Sequence, residues 1–466
     1  MSVLATAEDL SRWTNGQLLR GRTKQTFASS VIDSREISGD SLFVAIVGPN
    51  HDAHQFVDSV LEKGAAGVLI SSNGHGLALD KGDGFVIRVE DTTAALAELA
   101  RGHRQSFHGP LIGITGSNGK TTTKELCAGI LTRVGPTLAT RGNLNNHFGV
   151  PLTLLRRSES IAYAVIEMGM NHRFEIASLA SIAQPTIGVL TNLGSAHIEF
   201  LGSREAIAEE KGDLLAALPA HGTAVIGRDD PIAYAQAKRT TASVLSYGRK
   251  AAADLRASEI HADNDGTFRF LLESPYGRDQ IRVPGLAETI VENALAAAGG
   301  AFAAGASFEA VALGLANHCG VPGRMQPRKI ADDILLIDDS YNANPQSMKS
   351  ALETLARLET KGQRLAVLGE MGELGNERQS GHREAGVLAG SLALDGLYLL
   401  GASAIEVAEG ALESGLPENR IHIENDHDAL ILKLREDMTT GDRILIKGSR
   451  ASRMERIVEA LEGEGL

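Results

Sequence analysis

The stretch "LIGITGSNGKTTTKEL", residues 111–126, decides how the centre of this chain folds. An apolar strand pattern enters a glycine-rich loop and a helical pattern leaves it, which is the context of a phosphate-binding loop. The common loop pattern G-x-x-x-x-G-K-[ST] requires a glycine where this chain has Ile114. The glycines are Gly113, Gly116 and Gly119, so the spacing is G-x-x-G-x-G-K-T. This spacing indicates a nucleotide-binding loop of a variant kind.

The residues of the loop suit a nucleoside triphosphate and its metal ion. Backbone N–H groups of a glycine loop can close on phosphate oxygens, and the helix N-terminus adds positive potential. We expect Lys120 to bridge the β and γ phosphates and Thr121 to ligate Mg²⁺. The alternative, a glycine turn with an exposed lysine, does not explain why strand, loop, Lys-Thr pair and helix occur together. The residues predicted to bind the nucleotide here are Gly116, Ser117, Asn118, Gly119, Lys120, Thr121 and Thr122.

Composition and charge narrow the possible partners. The 466 residues are 43% hydrophobic and 22% charged, which is typical of a soluble protein with large buried cores. A net charge of −13 argues against nucleic acid as the main partner, because neutralising phosphates needs clustered Lys and Arg. Two cysteines without metal or disulfide spacing fit a reducing compartment. The N-terminus carries Glu8, Asp9 and Arg12 where a signal peptide would be apolar, so a cytoplasmic protein is predicted.

Apolar runs alternate with helical patterns along the chain, which predicts an α/β fold with mainly parallel sheets. At about 150 residues per domain, the length suggests three domains. Changes of pattern place them at residues 1–91, 92–321 and 322–466, with a Gly/Pro-rich hinge near residue 321. The central domain carries the phosphate loop, and the last is expected to be a second, Rossmann-like unit.

An Ala/Gly-rich run at residues 293–316 is the least polar part of the chain. It contains Glu309 and too little Leu, Ile or Val to cross a bilayer, so no membrane span is predicted. We interpret the run as one or two buried helices that are broken near Gly299 and Gly300, because glycine is a poor helix former.

Three polar residues of the central domain follow apolar strands or lie among acids. Glu167 ends "YAVIE" and could hold Mg²⁺, although a strand-end glutamate is often a surface group. His197 lies on a loop, and Mg²⁺ prefers oxygen ligands, so its residue type alone favours a structural role. Lys211 lies between Glu209 and Asp213 on a helix that begins near residue 203, which by composition favours a solvated, ion-paired face.

Polar groups also follow two strands of the C-terminal domain. Those in "LLIDDSYNANPQSM" could bind ribose hydroxyls or a second substrate, or could form a helix-capping turn. Those in "DRILIKGSR" suit an anion site, with a capping turn that carries solvated cations as the alternative. The residues concerned are Asp338, Asp339, Asn342, Lys447, Ser449 and Arg450.

Taken together, these stretches resemble the Mur ligase superfamily, the ATP-dependent amide-forming ligases of peptidoglycan synthesis. The superfamily's loop has the spacing of residues 113–121, and its motifs follow in order over nearly all of this chain. "DSREISGDSLFVAIVGPNHDAHQF", residues 33–56, is similar to its uridine-nucleotide-binding segment. "RGNLNNHFGVPLTLL" (141–155), "IEMGMNH" (166–172) and "DDSYNANPQSM" (338–348) resemble the ligases of the fourth addition step. The D-N-P-R type motif of the third-step ligases is missing from the sequence.

The resemblance implies roles for residues that composition alone leaves undecided. Glu167 and His197 correspond to the family's metal-binding pair, and Lys211 to a carbamylated lysine able to hold a second Mg²⁺. The expected catalytic residues are thus Lys120, Glu167, His197 and Lys211. The expected metal ligands are Thr121, Glu167, His197 and Lys211. The implied cofactors are ATP and two Mg²⁺ ions.

Three further positions are implied to contact ATP. Asn293 corresponds to an adenine-side asparagine, Arg324 to a hinge arginine near the phosphates, and Asp339 to a ribose-binding acid. The chain departs from the family pattern G-x-H-N-x-x-N, because Thr289 and Ile290 stand in place of His and Asn. The resemblance therefore does not extend to these two adenine-side positions.

The implied reaction joins D-alanyl-D-alanine to UDP-N-acetylmuramoyl-tripeptide, a cytoplasmic step performed by a monomer. The alternatives are a third-step or folylpolyglutamate synthetase-like ligase, or a non-catalytic relative. Folylpolyglutamate synthetases lack the uridine-binding segment, and a non-catalytic relative would be expected to have lost part of the catalytic set. The residues implied to bind the two substrates are Ser34, Arg35, Asp52, His54, Asn145, Asn146, Asn342, Asn344, Lys447 and Ser449.

Overall fold

The computed structural model describes residues 3–72, 81–194, 198–250, 252–263, 266–330, 333–392 and 394–463. Its N-terminal domain contains a sheet of order β2-β9-β8-β5-β4, parallel except for the pair β2 and β9. The strands are β1 (Ala5–Thr6), β2 (Gln17–Arg20), β3 (Thr26–Phe27), β4 (Ser29–Val31), β5 (Ser41–Val44), β6 (Val47–Gly48), β7 (His51–Asp52), β8 (Gly67–Ile70) and β9 (Phe85–Arg88). The helices are α1 (Ala7–Thr14) and α2 (Val57–Glu62).

The central domain is built on a nine-stranded sheet of order β11-β12-β10-β13-β14-β15-β16-β17-β18. The sheet is parallel as far as β16 and ends in two antiparallel pairs. Its strands are β10 (Leu111–Thr115), β11 (Thr137–Ala139), β12 (Tyr163–Glu167), β13 (Ile187–Leu190), β14 (Thr223–Gly227), β15 (Ser243–Gly248), β16 (Leu255–Ala262), β17 (Thr267–Ser274) and β18 (Gly277–Pro284).

Helices cover both faces of this sheet, which explains why its parallel strands are nearly continuous apolar runs. The helices α4, α10 and α11 contribute to the core on one face, and α3, α5, α6 and α8 to the core on the other. The latter core continues into the N-terminal domain through Phe27 and Phe85. The helices are α3 (Thr92–Arg104), α4 (Lys120–Leu131), α5 (Gly149–Leu155), α6 (Glu175–Ala183), α7 (Ile198–Leu201), α8 (Arg204–Ala216), α9 (Pro231–Ala235), α10 (Thr289–Ala303) and α11 (Phe308–Ala316).

The predicted helix break near Gly299 and Gly300 is wrong, because α10 runs through both glycines. A Cβ on Gly299 would lie 2.6 Å from Cγ1 of Val225, and one on Gly300 would lie 3.2 Å from Cγ2 of Val189. The two glycines therefore let the helix approach the sheet closely. The chain leaves the helix further on, before Gly305, whose φ of +92° belongs to the left-handed region that favours glycine.

The C-terminal domain has a six-stranded sheet of order β19-β20-β24-β21-β22-β23, parallel except for the edge strand β19. Apolar cores lie on both of its faces. Among the described residues, no helix is long and apolar enough to cross a membrane. The strands are β19 (Gln326–Lys329), β20 (Leu335–Asp339), β21 (Arg364–Leu368), β22 (Gly396–Leu400), β23 (Ile421–Glu424) and β24 (Arg443–Lys447). The helices are α12 (Pro345–Arg357), α13 (Arg378–Ser391), α14 (Ala404–Glu413), α15 (His427–Asp437) and α16 (Glu455–Gly463).

Candidate active site

A cavity of about 1050 Å³ lies between the central and C-terminal domains, where the carboxyl ends of β10, β12 and β20 meet. In open α/β sheets, ligands bind at such strand ends. The cavity brings together most of the residues that the sequence predicted. Those that line it are Ser117, Asn118, Gly119, Lys120, Thr121, Thr122, Asn145, Asn146, Glu167, Asn293, Arg324, Asp339, Asn342, Asn344, Lys447 and Ser449.

The phosphate loop leaves β10 in the middle of the central sheet and is fixed by the end of β13. A Cβ on Gly116 would lie 1.9 Å from Oγ1 of Thr191, so only glycine fits there. The Asn118 carbonyl accepts hydrogen bonds from Thr191 Oγ1 at 2.7 Å and from Asn192 Nδ2 at 2.9 Å. Gly119, with φ +78°, forms the N-cap of α4. These contacts hold the loop against the end of β13, and the loop leads directly into the N-terminus of α4.

Lys120 folds back over this loop, where its Nζ donates to the Gly116 carbonyl at 2.8 Å. Burial lowers the pKa of Lys120 to about 8, while Glu167 acts to raise it and Arg324 to lower it further. A pKa above neutrality leaves the amine mostly cationic at pH 7. The lysine thus places a positive charge where phosphate oxygens would lie.

Glu167, at the end of β12, has one carboxylate oxygen held by the protein and one left over. Its Oε1 accepts a hydrogen bond from Asn145 Nδ2 at 2.8 Å, and its backbone N–H donates to Thr140 Oγ1 at 3.0 Å. Its Oε2 is buried and has no hydrogen-bond partner among the described residues. A buried oxygen without a hydrogen-bond partner is energetically unfavourable in itself, and it is suited to act as a ligand of a cation.

Lys211 does not lie on a solvated, ion-paired face, so the interpretation from composition is wrong. The helix α8 begins after Ser203 as expected, but the lysine side chain is fully buried. Its Nζ has no hydrogen-bond partner among the described residues. The neighbouring Glu210 instead caps α6, accepting from the N–H groups of Phe174 at 2.6 Å and Ile176 at 2.9 Å.

The burial of Lys211 lowers its pKa well below the ordinary value of a lysine, and the charge of Lys120 acts in the same direction against Glu210 and Glu373. Burial and the nearby positive charge therefore both disfavour the protonated form of this amine. Composition could not reveal this, because the acids that flank Lys211 in sequence point elsewhere.

His197 lies outside the described residues, so the structure does not place this predicted metal ligand. Within the described residues, no group of three or more His, Cys, Asp and Glu side chains could hold a metal ion. The candidate metal-ligand atoms at the cavity are instead of two kinds, the hydroxyl oxygen of Thr121 and the Glu167 carboxylate oxygen that has no hydrogen-bond partner among the described residues. Hydroxyl and carboxylate oxygens suit Mg²⁺.

Lys447, which the C-terminal domain contributes to the cavity, belongs to a buried ion pair. Lys447 Nζ lies 2.6 Å from Oδ2 of Asp339 and donates to the Asn342 carbonyl at 2.9 Å. Burial raises the pKa of Asp339, and the charge of Lys447 opposes that shift. The Arg324 guanidinium lies 4.3 Å from the centre of the Tyr341 ring, at the hinge between the two domains.

Two side chains of the C-terminal domain contact the phosphate loop directly. Asn344 Nδ2 donates to Asn118 Oδ1 at 2.8 Å, and Asn118 Nδ2 donates to Gln346 Oε1 at 3.1 Å. The sequence singled out Asn344 but missed Gln346, although Gln346 lies in the same motif at the start of α12. Asn293, on α10, lies 3.4 Å from Oγ1 of Thr123 on the loop's helix.

The predicted substrate residues of the N-terminal domain do not line this cavity. His54 is buried, and both ring nitrogens are used, Nδ1 with Asp52 Oδ1 at 2.6 Å and Nε2 with the N–H of Ser71 at 2.9 Å. The Arg35 guanidinium is exposed and pairs with Asp33. The residues in question are Ser34, Arg35, Asp52 and His54.

Comparison with known proteins agrees with this fold and site. Residues 114–301 match the Mur ligase middle domain, and residues 323–450 match the Mur ligase glutamate ligase domain. UDP-N-acetylmuramoyl-tripeptide–D-alanyl-D-alanine ligase of Escherichia coli is 37% identical, over 99% of both chains. The crystal structure of MurF from Acinetobacter baumannii superposes with a TM-score of 0.89 at 32% identity, over 100% of both chains. MurF of Thermotoga maritima in complex with ADP gives a TM-score of 0.80 at 30% identity, over 93% of this chain and 97% of that one.

The chain therefore belongs to the Mur ligases, ATP-dependent enzymes that form an amide bond and release ADP. Within them it belongs to the UDP-N-acetylmuramoyl-tripeptide–D-alanyl-D-alanine ligase family. The family, the three-domain α/β fold and the use of ATP predicted from the sequence are confirmed. The roles of the individual site residues stay predictions.

Proposed function

We propose that this chain joins the amine of D-alanyl-D-alanine to the terminal carboxylate of UDP-N-acetylmuramoyl-tripeptide, with ATP converted to ADP and phosphate. The observation that carries the proposal is the cavity between two domains in which the phosphate loop, Glu167 and the C-terminal motif around Asn344 meet. A ligase needs one site where ATP, a carboxylate and an amine come together. The named substrates are those of the relatives that match over nearly the whole chain.

The chemistry would proceed in two balanced steps. An oxygen of the tripeptide carboxylate attacks the γ-phosphorus, and the bond to the bridging oxygen breaks, which gives an acyl phosphate and ADP. The dipeptide amine then attacks the acyl carbon, loses a proton, and phosphate leaves from the tetrahedral intermediate. Lys120 and the backbone N–H groups of the loop would hold the transferring phosphoryl group. Their positive charge would offset the repulsion between the carboxylate and the negatively charged phosphates, which opposes the reaction.

Thr121, Glu167, His197 and Lys211 would hold the metal ions. Mg²⁺ would supply positive charge that lets a carboxylate approach a polyphosphate. Glu167 Oε2 supports this assignment, because a buried carboxylate oxygen that has no hydrogen-bond partner among the described residues is suited to bind a cation. His197 enters from the family resemblance alone.

We further propose that Lys211 carries a carbamate. A neutral lysine amine adds CO₂ by forming an N–C bond and releasing one proton to solvent, which converts the uncharged amine into a carboxylate-like anion. The lowered pKa of Lys211 and the lack of a hydrogen-bond partner for its Nζ among the described residues favour that reaction, because carbamate formation uses the unprotonated amine and its lone pair. The new anion would supply oxygen ligands for a second Mg²⁺.

We propose domain boundaries near residues 91 and 321, because each falls between two of the three large sheets. These sheets span residues 17–88, 111–284 and 326–447. Closure of the third domain over the phosphate loop would exclude water from the acyl phosphate. A cytoplasmic location follows from the proposed substrates, and the monomeric state stays a prediction from the sequence.

The test is release of ADP from ATP with UDP-N-acetylmuramoyl-tripeptide, in the presence and absence of D-alanyl-D-alanine. We expect rapid release only with the dipeptide, together with formation of the pentapeptide product by mass spectrometry. Equal rates with and without the dipeptide would overturn the proposal. Faster turnover of the UDP-linked dipeptide with a single diamino acid would instead identify a third-step ligase.

A further inference from the structure

Lys124 is a fully buried lysine that the proposed chemistry does not use. Its side chain is 0% exposed, although charged side chains are rarely buried completely without a strong reason. Its Nζ donates to the Thr140 carbonyl at 2.8 Å and forms an ion pair with the half-exposed carboxylate of Glu125. A packing role alone would be filled better by an apolar residue, since burying a charge is unfavourable.

The residue that Lys124 holds is bound from three directions. Besides accepting from Lys124, Thr140 donates its backbone N–H to the Val165 carbonyl at 3.1 Å. Its Oγ1 accepts the backbone N–H of Glu167 at 3.0 Å. Thr140 therefore joins the phosphate-loop helix α4 to the point where β12 ends.

The same connection extends to the carboxylate of Glu167. Thr140 begins the segment 140–146, which returns to the site at Asn145. Asn145 donates its Nδ2 to Glu167 Oε1 at 2.8 Å and accepts the Gly169 N–H on its carbonyl at 2.9 Å. Both the backbone and the side chain of Glu167 thus depend on a segment that Lys124 fixes at its start.

We propose that Lys124 is a positioning residue that sets the geometry of Glu167 relative to the phosphate loop, acting through Thr140. The assignment of Glu167 as a metal ligand rests on the proposed function. Lys124 lies one helical turn after Lys120, so the same helix carries the phosphate-binding amine and the brace for the carboxylate. A charged donor to a carbonyl is stronger than a neutral one, which suits a brace between two elements.

The test compares Lys124→Met, which keeps length and loses the donor, with Lys124→Arg, which keeps a charged donor. Thr140→Val removes only the hydroxyl that accepts from Glu167. Arg104→Leu is the matched control, because Arg104 is also buried and donates to the carbonyls of Ala183 and Gln184, before the start of β13 and away from the cavity.

The first readout is hydrogen exchange in peptides covering residues 140–147 and 163–168, measured without nucleotide or metal. We expect about tenfold faster exchange in both peptides for Lys124→Met, and in the second for Thr140→Val, with Arg104→Leu unchanged there. The second readout is steady-state kinetics, where Lys124→Met and Thr140→Val should each lower kcat about tenfold. The double variant should be no worse than the worse single variant, and Lys124→Arg should recover most of the loss.

Unchanged exchange around Glu167 in Lys124→Met, or a loss of Tm alone as in Arg104→Leu, would overturn the proposal. If Lys124→Met fails to fold, the Thr140→Val variant decides. Hydrogen exchange and kcat equal to those of the wild-type protein in Thr140→Val would also overturn the proposal. Failure of the proposed function shows up separately, as a wild-type protein without dipeptide-dependent ADP release. The exchange readout still tests the brace in that case.

Discussion

Asn344 Nδ2 donates to Asn118 Oδ1 across 2.8 Å, and this contact joins the C-terminal domain to the tip of the phosphate loop. Asn344 also caps α12, because its Oδ1 accepts the N–H of Ser347 at 2.9 Å. The orientation of that helix is therefore tied to the loop that would hold ATP. In this arrangement the two domains already share polar contacts at the site.

The first prediction concerns Gln346, which accepts from Asn118 Nδ2 at 3.1 Å. Gln346→Ala should lower kcat/KM about fivefold to tenfold, because a lost hydrogen bond of this kind is worth roughly 1 kcal/mol. Steady-state kinetics with varied ATP measure the effect. Lys349→Ala on the same helix is the control, since Lys349 is exposed and should change nothing. Full activity in Gln346→Ala would show that the contact is dispensable for closure.

The second prediction concerns Lys211. Lys211→Ala should lose at least about a hundredfold in kcat, because the carbamate that is proposed to hold a metal ion cannot form. Formate or acetate should partly restore the rate by supplying a carboxylate in the vacated space. The same salts should not accelerate the wild-type protein. An unimpaired Lys211→Ala variant would remove the carbamate from the mechanism.

The third prediction concerns the close packing of α10 on the sheet. Gly299→Ala should lower the free energy of unfolding by about 1–3 kcal/mol, because its Cβ would press on the buried Val225. Gly129→Ala on α4 is the matched control, since its Cβ meets nothing within 4 Å. It should raise the free energy of unfolding by about 0.5–1 kcal/mol through helix propensity. Urea unfolding measures both, and the same sign for both variants would contradict the packing argument.

The fourth prediction concerns the buried pair Asp339 and Lys447. Lys447→Met should destabilise the protein by about 3–5 kcal/mol, because it leaves a buried carboxylate without its partner. Combining it with Asp339→Asn should recover more than half of that loss, since neither position of the pair then carries a charge. Thermal or urea unfolding measures the cycle. Simple additivity of the two single losses would show that the pair does not interact in the folded state.

Much of the site could be predicted from the sequence because strand ends and glycine loops have local signatures. The order strand, G-x-x-G-x-G-K-T, helix predicted the phosphate loop, and the position of Glu167 at the end of an apolar strand predicted that it faces the cavity, while its metal-binding role came from the family resemblance. Contacts between distant segments left no such signal. Gln346 and Asn118 are 228 positions apart, and the local sequence around each residue does not predict that their side chains form a hydrogen bond. The break expected at Gly299 failed for the same reason, since the role of that glycine depends on Val225 across the domain.

The sequence by itself determined the α/β class, the nucleotide loop, the family and most of the residues that line the cavity, because each depends on local pattern and spacing. Only the tertiary structure decided the state of those residues. It made Lys211 a buried amine with a lowered pKa, paired Lys447 with Asp339, left one oxygen of Glu167 free, and braced that residue from Lys124. Charge and reactivity depend on which groups lie within a few ångströms, and the fold sets those distances.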